Sequence, residues 1–130
     1  MSDHSIEIRE VALGLLREHE QVESERLHQI IEEIRRAGRL RHPILVDKRS
    51  WVILDGHHRF RAYKELGFET IPCVLVDYQS DIVSVRARRP DIPVSKDEVI
   101  RRALSGRLFP PKTTQHIVHT PLPSCPEHPS

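Results

Sequence analysis

Five consecutive residues, Asp55-Gly56-His57-His58-Arg59, combine a carboxylate, a glycine, two imidazoles and a guanidinium where an apolar run changes into a helical pattern. Backbone N–H groups at the start of a helix have no partner within the helix and carry partial positive charge, so such a turn favours an anion. Gly56 would let a phosphate approach the backbone closely, and Arg59 could bind its oxygens in a fork. The pattern predicts a phosphate-binding turn with His57, His58 and Arg59 at its open end.

The alternative for this turn is an ordinary strand-to-helix connection whose basic first turn is solvated. Cations at a helix start oppose the helix dipole, and a bound anion would remove that conflict, which favours the phosphate interpretation. Zinc is set aside, because His57 and His58 are adjacent on a helix and point in different directions, and no matching Cys/His pair accompanies them.

Asp55 precedes the turn at the end of an apolar strand. Its carboxylate could bind Mg²⁺ through water, hold a substrate amine or orient a histidine, and it could equally form a hydrogen bond to the backbone of the turn. Mg²⁺ usually keeps several waters and is shared between one or two carboxylates and substrate phosphates, so a single carboxylate is enough to keep it a candidate.

Three segments together resemble a known family. Residues 51–67, preceded by residues 42–46, resemble the nucleotide-binding motif of the ParB/sulfiredoxin-like superfamily, whose members place nucleotide phosphates on this turn. Residues 19–21, His-Glu-Gln, and residues 111–116, Pro-Lys-Thr-Thr-Gln-His, resemble segments of one branch, the free L-serine kinases. The three segments follow in the same order over residues 17–119, which is more specific than any one motif.

The resemblance implies phosphoryl transfer from ADP or ATP, with Mg²⁺, to the hydroxyl of free L-serine, giving O-phospho-L-serine. Glu20 would be the general base and Asp55 a second catalytic carboxylate and candidate Mg²⁺ ligand. The turn would bind the nucleotide phosphates through Gly56, His57, His58 and Arg59. Serine or phosphoserine would be contacted by Lys112, Thr113, Thr114 and His116.

From the residues alone, a glutamate beside a helix start is also a solvated or capping residue, and residues 112–116 are also a solvated polar loop. The chain departs from the family pattern at Gln115, where a basic residue is expected, and at Arg88 and Arg89, where aromatic residues are expected. Either arginine could bind phosphate or be solvated. The segment between Arg89 and Pro110 is also shorter than in the kinases, which implies a short form.

Two other functions remain open. A ParB-like nucleotide-binding module that binds or regulates DNA would need a helix-turn-helix after the nucleotide domain, and residues 95–130 offer one short helix and a proline-rich tail. A sulfiredoxin-like reductase would need a cysteine in the phosphate turn, whereas Cys73 falls in an apolar strand pattern and reads as a buried hydrophobe.

Length and net charge limit the possible functions of the chain only broadly. The chain has 130 residues and a net charge of +1, which suits one domain and gives no general attraction to nucleic acid or acidic membranes. No run approaches the length of a membrane span, and the N-terminus lacks a signal-peptide pattern, so we expect a cytoplasmic protein. Its expected partners are L-serine and a nucleotide, with no membrane or nucleic acid, as a monomer or homodimer.

The elements that must position these residues form a compact α+β fold with a small mixed sheet and flanking helices, in one domain over residues 1–119 and a flexible tail over 120–130. A strand is predicted over 7–16, a hairpin over 43–46 and 51–54, and further strands over 71–76 and 82–85. Helices are predicted from Ser24 to Gly38, from Gly56 to Gly67, and from Ser95 to Gly106. Their core-facing residues are Leu27, Ile30, Ile31, Ile34, Phe60, Tyr63, Leu66, Val99, Ile100, Ala103 and Leu104.

Overall fold

The computed structural model describes Ile6 and residues 8–125, so Glu7, at the start of the first predicted strand, lies outside the described residues. Strands and helices alternate along most of the chain. In order they are β1 (Ile8–Ala12), α1 (Ser24–Ala37), β2 (Ile44–Asp47), β3 (Ile53–Asp55), α2 (His57–Glu65), β4 (Thr70–Val76), β5 (Val83–Ala87), α3 (Lys96–Ser105) and β6 (Thr114–Val118).

The larger sheet has the strand order β1-β4-β2-β3. β4 runs antiparallel to β1 and parallel to β2, while β2 and β3 form the predicted antiparallel hairpin. The parallel pair is possible because β3 and α2 provide the crossover between β2 and β4. The prediction of an α+β fold with a small mixed sheet is therefore confirmed.

α1 packs against α2 and contributes its apolar face to a core cluster that it shares with residues of this sheet. Ile30, Ile31 and Ile34 are buried, as the helical spacing predicted, and Leu27 is partly buried against them. Gly38 ends the helix with a φ of 81°, a backbone conformation that favours glycine. The predicted N-cap was wrong by one residue: Glu23 occupies the cap position with extended backbone, and Ser24 is the first helical residue.

The first strand is shorter than predicted, since β1 ends at Ala12 and Leu13–Leu15 form a 3₁₀ turn. The chain then runs extended beside β3, where Ile53 donates its N–H to the carbonyl of Arg17 at 2.8 Å. On its other side, Phe109 donates its N–H to the carbonyl of His19 at 2.8 Å. This extended segment, which carries Glu20, is therefore held between the larger sheet and the C-terminal part of the chain.

A second sheet consists of β5 and β6 in antiparallel register, with Val85 opposite His116. The expectation that residues 112–116 form a loop was wrong for its second half, because β6 begins at Thr114. The polar residues at the start of β6 hide the alternation that marks a half-buried strand, and their partner strand lies far away in the sequence.

α3 begins as its capping box predicted, with Ser95 Oγ accepting a hydrogen bond from the Glu98 N–H at 3.1 Å. Val99 and Ala103 face the core, but Leu104 is 59% exposed, so its predicted inward position was wrong.

Cys73 is fully buried in β4, as expected of a small hydrophobe. Residues 121–125 form neither helix nor strand, and the rest of the predicted tail lies outside the described residues. No helix in the described ranges is long and apolar enough to cross a membrane.

Candidate active site

A cavity of about 730 Å³ lies between the start of α1, the turn from β3 into α2, and β6. It brings together segments that are widely separated in the sequence. Of the predicted site residues, its wall contains Glu20, Asp55, Gly56, His57, His58, Arg59, Lys112, Thr114 and His116. The wall also includes residues that the sequence did not single out, among them Glu23 at the N-cap of α1 and Arg26 in its first turn.

Thr113 is the exception among the predicted substrate-binding residues. It is fully buried and does not line the cavity, and its hydroxyl donates a hydrogen bond to the carbonyl of Pro110 at 2.6 Å. The substrate contact of Thr113 stays a prediction, and its side chain is directed to the backbone of Pro110. Its backbone N–H instead donates to Glu20 Oε1 at 3.2 Å.

Gly56 makes the sharp connection from β3 into α2. Its φ is 109°, and a Cβ at this position would lie 2.8 Å from Cβ of Ile44, closer than side chains approach in real proteins. Only glycine therefore fits the turn without displacing β2. Because the first N–H groups of a helix have no acceptor inside it, the start of α2 offers those of His57, His58 and Arg59 to the cavity wall.

The side chain of His57 is not at the open end, as the sequence had suggested, but buried with 6% exposure. Its Nε2 accepts a hydrogen bond from the backbone N–H of His19 at 3.1 Å. Burial, helped by the neighbouring His19, lowers the pKa of His57 well below its ordinary value, so the ring is neutral. The side chain therefore positions the segment that carries Glu20, and His57 also borders the cavity at the start of α2.

His58 connects the two helix starts that border the cavity. Its Nε2 accepts a hydrogen bond from the backbone N–H of Glu23, the N-cap of α1, at 2.9 Å. Burial lowers the pKa of His58, and the nearby positive charge of Arg26 lowers it further. An uncharged imidazole does not oppose the helix dipole, so the predicted conflict between cations and dipole does not arise from the histidines.

Arg59 is held by backbone carbonyls rather than left free. Its Nη1 donates to the carbonyls of Pro43 at 2.9 Å and His42 at 3.2 Å, and its Nη2 lies 3.5 Å from Oδ2 of Asp55. The Asp55 side chain is 68% exposed at the cavity wall. Among the described residues, no group of three His, Cys, Asp or Glu side chains could hold a metal by itself. One exposed carboxylate still suits Mg²⁺, which takes its other oxygen ligands from water and phosphates.

Glu20 is held by one of its two carboxylate oxygens. Oε1 accepts the N–H of Thr113, the N–H of Thr114 at 2.9 Å and the hydroxyl of Thr114 at 2.9 Å. These hydrogen bonds all end on Oε1, and Glu20 borders the cavity. Burial raises the pKa of Glu20, while the hydrogen bonds from Thr114 and Thr113 oppose that rise. A fixed carboxylate with raised proton affinity suits a general base.

The C-terminal segment closes the other side of the cavity. Lys112 has a φ of 59°, and its Nζ lies 3.3 Å from Oε1 of Glu23. His116 Nε2 shares a hydrogen bond with the hydroxyl of Tyr78 at 2.8 Å, while its Nδ1 is buried with no hydrogen-bond partner among the described residues. Burial lowers the pKa of His116 to about 3, so this ring too is neutral.

The two arginines that depart from the family pattern have different surroundings. Arg88 lines the cavity, whereas Arg89 lies 3.6 Å from a carboxylate oxygen of Asp91. Because Arg88 and Arg89 are adjacent in the sequence, the sequence alone did not show that their surroundings differ.

The chain is similar in sequence to several known proteins. Residues 2–87 match the family described as the ParB N-terminal domain. A ParB-like protein of Sulfolobus acidocaldarius is 43% identical over 86 residues, covering 66% of this chain and 42% of that protein. An ATP-dependent L-serine kinase of Desulfurococcus mucosus is 35% identical over 96 residues, covering 66% of this chain and 37% of the kinase. The chain thus spans less than half the length of these curated relatives.

The same architecture occurs in a solved structure. A variant of a free serine kinase in complex with AMP superimposes with a TM-score of 0.76, covering 87% of this chain and 88% of that chain, at 18% sequence identity. This likeness confirms the predicted fold.

Proposed function

The chain belongs to the ParB N-terminal domain family, and from that premise we propose that it is a nucleotide-dependent kinase that converts free L-serine to O-phospho-L-serine. The observation that carries this proposal is the placement of Glu20, whose carboxylate is fixed through Oε1 at the wall of the cavity that the start of α2 also borders. The named L-serine kinase among its relatives supports the choice of acceptor.

In the proposed reaction, the serine hydroxyl oxygen attacks the terminal phosphorus of the nucleotide as the bond to the leaving phosphate oxygen breaks. The hydroxyl proton passes to Oε2 of Glu20, and the nucleotide leaves as AMP or ADP according to whether ADP or ATP was the donor. Such a reaction needs mainly positioning and charge stabilisation from the protein. The raised pKa of Glu20 increases its capacity to accept that proton.

We assign the nucleotide phosphates to the turn at Gly56. The backbone N–H groups at the start of α2 and the guanidinium of Arg59 would donate to phosphate oxygens, and Gly56 leaves room for their approach. His57 and His58 would contribute backbone N–H groups, while each imidazole Nε2 accepts a hydrogen bond from another segment and holds that segment in place. This assignment accounts for the residues shared with the nucleotide-binding motif.

Serine and phosphoserine would lie beside the C-terminal segment. Lys112 can pair with the product phosphate in place of Glu23, and His116 borders the same part of the cavity. Thr114 borders the same space. Asp55 is the carboxylate that would hold Mg²⁺, which would offset the negative charge of the phosphates.

The alternative is a ParB-like nucleotide-binding module that regulates or binds DNA, and the ParB-like relative favours it. Incubation of the purified chain with Mg²⁺, L-serine and either ADP or ATP separates the two functions. The kinase proposal expects O-phosphoserine, identified by mass spectrometry and ³¹P NMR, and expects EDTA to suppress it. No phosphoserine with either nucleotide, under conditions where nucleotide binding is measured calorimetrically, would support the module instead.

A further inference from the structure

His19 immediately precedes Glu20 in the chain and is fully buried. Its Nδ1 lies 2.7 Å from the carbonyl oxygen of Ile53. A carbonyl oxygen only accepts hydrogen bonds, so Nδ1 must carry a proton. Burial lowers the pKa of His19 to about 4, which makes the ring neutral at ordinary pH and leaves a lone pair on Nε2.

Nε2 of His19 therefore needs a proton donor, and the hydroxyl of Thr114 lies 3.0 Å away. The same hydroxyl lies 2.9 Å from Oε1 of Glu20. A hydroxyl has one proton to donate, so it cannot donate to both groups at once. While Glu20 is ionised and His19 neutral, the two acceptors compete for the Thr114 proton.

We infer that His19 is a positioning residue that keeps Glu20 basic by competing with it, through Thr114, for one hydrogen bond. This role rests on the proposed function, in which Glu20 is the general base. A hydrogen bond to a carboxylate stabilises its ionised form, and competition from His19 weakens that stabilisation. His19 thus acts without contacting the substrate.

The proton count remains balanced during the reaction. When Oε2 of Glu20 takes the proton from the serine hydroxyl, the carboxyl group becomes a weaker acceptor at Oε1. The Thr114 hydroxyl then rotates towards Nε2 of His19, and no proton leaves Thr114. In the protonated state of Glu20, the Thr114 hydroxyl is therefore free to donate to Nε2 of His19, whose Nδ1 donates to the carbonyl of Ile53, and this satisfied arrangement favours proton uptake.

Other ionisable groups surround His19 and Glu20. Titrations of Glu20 in different variants must therefore be compared at the same ionic strength. His57 and His116 pack edge-on against the His19 ring, with centroids 4.5 Å and 5.6 Å away. Across the cavity, the cations are Arg26, Arg59, Arg88 and Lys112, and His58 is neutral. The acidic groups on the opposite walls are Glu23, Glu25 and Asp55.

A double-variant experiment tests the competition directly. The titration of Glu20 would be followed by ¹³C NMR of its side-chain carboxyl group in the whole chain without substrates. In His19→Asn, the amide can still donate to the carbonyl of Ile53, but Nε2 is absent. Thr114 then donates fully to Glu20, and the titration midpoint should move down by about one pH unit. Thr114→Val removes the donor, so the midpoint should move up.

The combined variant is decisive. With Val at position 114, His19→Asn should have no further effect, because no hydroxyl remains to be shared. Thr114→Ser should restore the behaviour of the unaltered chain, and His28→Asn, an exposed histidine on α1, is the matched control. An equal downward movement in both backgrounds would overturn the inference, since His19 would then act through solvation or charge. An unchanged midpoint in folded His19→Asn would overturn it too.

A measurement without substitutions covers the case in which His19→Asn fails to fold. ¹⁵N NMR of the His19 ring should show a protonated Nδ1 and an unprotonated Nε2 at neutral pH, and the opposite tautomer would refute the competition. Both NMR readouts are independent of turnover. Absence of phosphoserine formation would therefore reject the proposed kinase while the Glu20 titrations still decide the role of His19.

Discussion

His58 and Glu23 join the starts of two helices, with Nε2 of His58 accepting the backbone N–H of Glu23 at 2.9 Å. The bond ties the N-cap of α1 to the first turn of α2, and both helix starts border the same cavity. Since each start carries partial positive charge, this link fixes two weak anion-binding elements in one orientation. A side chain that seemed suited to touch phosphate thus holds the backbone groups that would do so.

Replacement of His58 tests this arrangement. His58→Ala should weaken ATP or ADP binding by about tenfold, because a backbone hydrogen bond is lost and the two helix starts are no longer held together. Isothermal titration calorimetry would measure the affinity. His58→Gln can supply a carbonyl oxygen to the Glu23 N–H and should recover part of the loss. Equal affinities in all three proteins would show that the link does not support nucleotide binding.

Glu20→Gln tests the general base. Glutamine keeps an oxygen that can accept the hydrogen bonds of Thr113 and Thr114, but it cannot take up the serine proton. We expect phosphoserine formation to fall by about 10²–10⁴-fold while nucleotide affinity is retained. The matched control is Glu18→Gln, because Glu18 pairs with Arg61 at 2.8 Å and does not line the cavity. Full activity in Glu20→Gln would exclude Glu20 as the base.

Gly56→Ala tests the close approach at the turn. The new Cβ would clash with Ile44 and the backbone would be strained at a φ of 109°. We expect a loss of unfolding free energy of at least about 1–3 kcal/mol, together with weaker nucleotide binding. Urea unfolding followed by circular dichroism would measure the former.

Gly67→Ala is the control for backbone strain without a clash. Its φ is 84°, but no heavy atom lies within 4 Å of the position that a Cβ would take. It should lose stability by about 1 kcal/mol through strain alone and leave nucleotide affinity unchanged. If Gly56→Ala behaved like Gly67→Ala in both measurements, the tight packing against Ile44 would have no role in binding.

The buried histidines predict acid sensitivity. The pKa of His19 falls from 6.5 to about 4 on folding, so the unfolded chain binds a proton between these pH values that the folded chain does not. Stability should therefore be complete above pH 6.5 and decrease as the pH falls towards 4, with His19 alone contributing about 3 kcal/mol to that loss. His57 and His116 act in the same direction.

Glu20 opposes this trend, because its pKa is raised on folding and its protonation therefore favours the folded state at low pH. The effect of Glu20 on stability at low pH does not outweigh the opposite effect of the three neutral buried histidines. Thermal unfolding at a series of pH values, with constant ionic strength, would measure the balance. A melting temperature that stays level between pH 6.5 and 4.5 would contradict the neutral, buried state of these rings.

Much of the fold follows from local patterns, whereas much of the site does not. The helical spacing of Ile30, Ile31 and Ile34 reflects the burial of one helix face. Gly56 reflects a backbone conformation that favours glycine. Both features can be recognised within a short stretch of the sequence. The hydrogen bonds between Glu20 and Thr114 join residues 94 positions apart. They come together because the chain at Phe109 pairs with the extended segment that carries Glu20, and because β6 follows shortly after Phe109. The polar residues of β6 conceal that strand in the sequence.

Histidines show the same limit in another way. Residue type alone suggested two exposed cations at 57 and 58, but each imidazole accepts a backbone hydrogen bond from the segment before or at the start of α1. Their neutral state depends on burial, which is a property of the assembled cavity. The sequence could therefore predict the turn between β3 and α2 without showing which groups the imidazoles of His57 and His58 contact.

Lys112 offers a separate test of the side of the cavity assigned to serine. Its ammonium group and the Glu23 carboxylate are both substantially exposed, so their pair adds little to stability, about 0–1 kcal/mol. Lys112→Ala should therefore leave the melting temperature nearly unchanged but raise the KM for L-serine or weaken phosphoserine binding by about tenfold, because a cation beside the product phosphate is lost. Steady-state kinetics and calorimetry with phosphoserine measure these effects. Lys64→Ala, which removes an exposed lysine from the last turn of α2 outside the cavity wall, is the matched control. A normal serine KM together with normal phosphoserine affinity in Lys112→Ala would show that the amino acid binds elsewhere in the cavity.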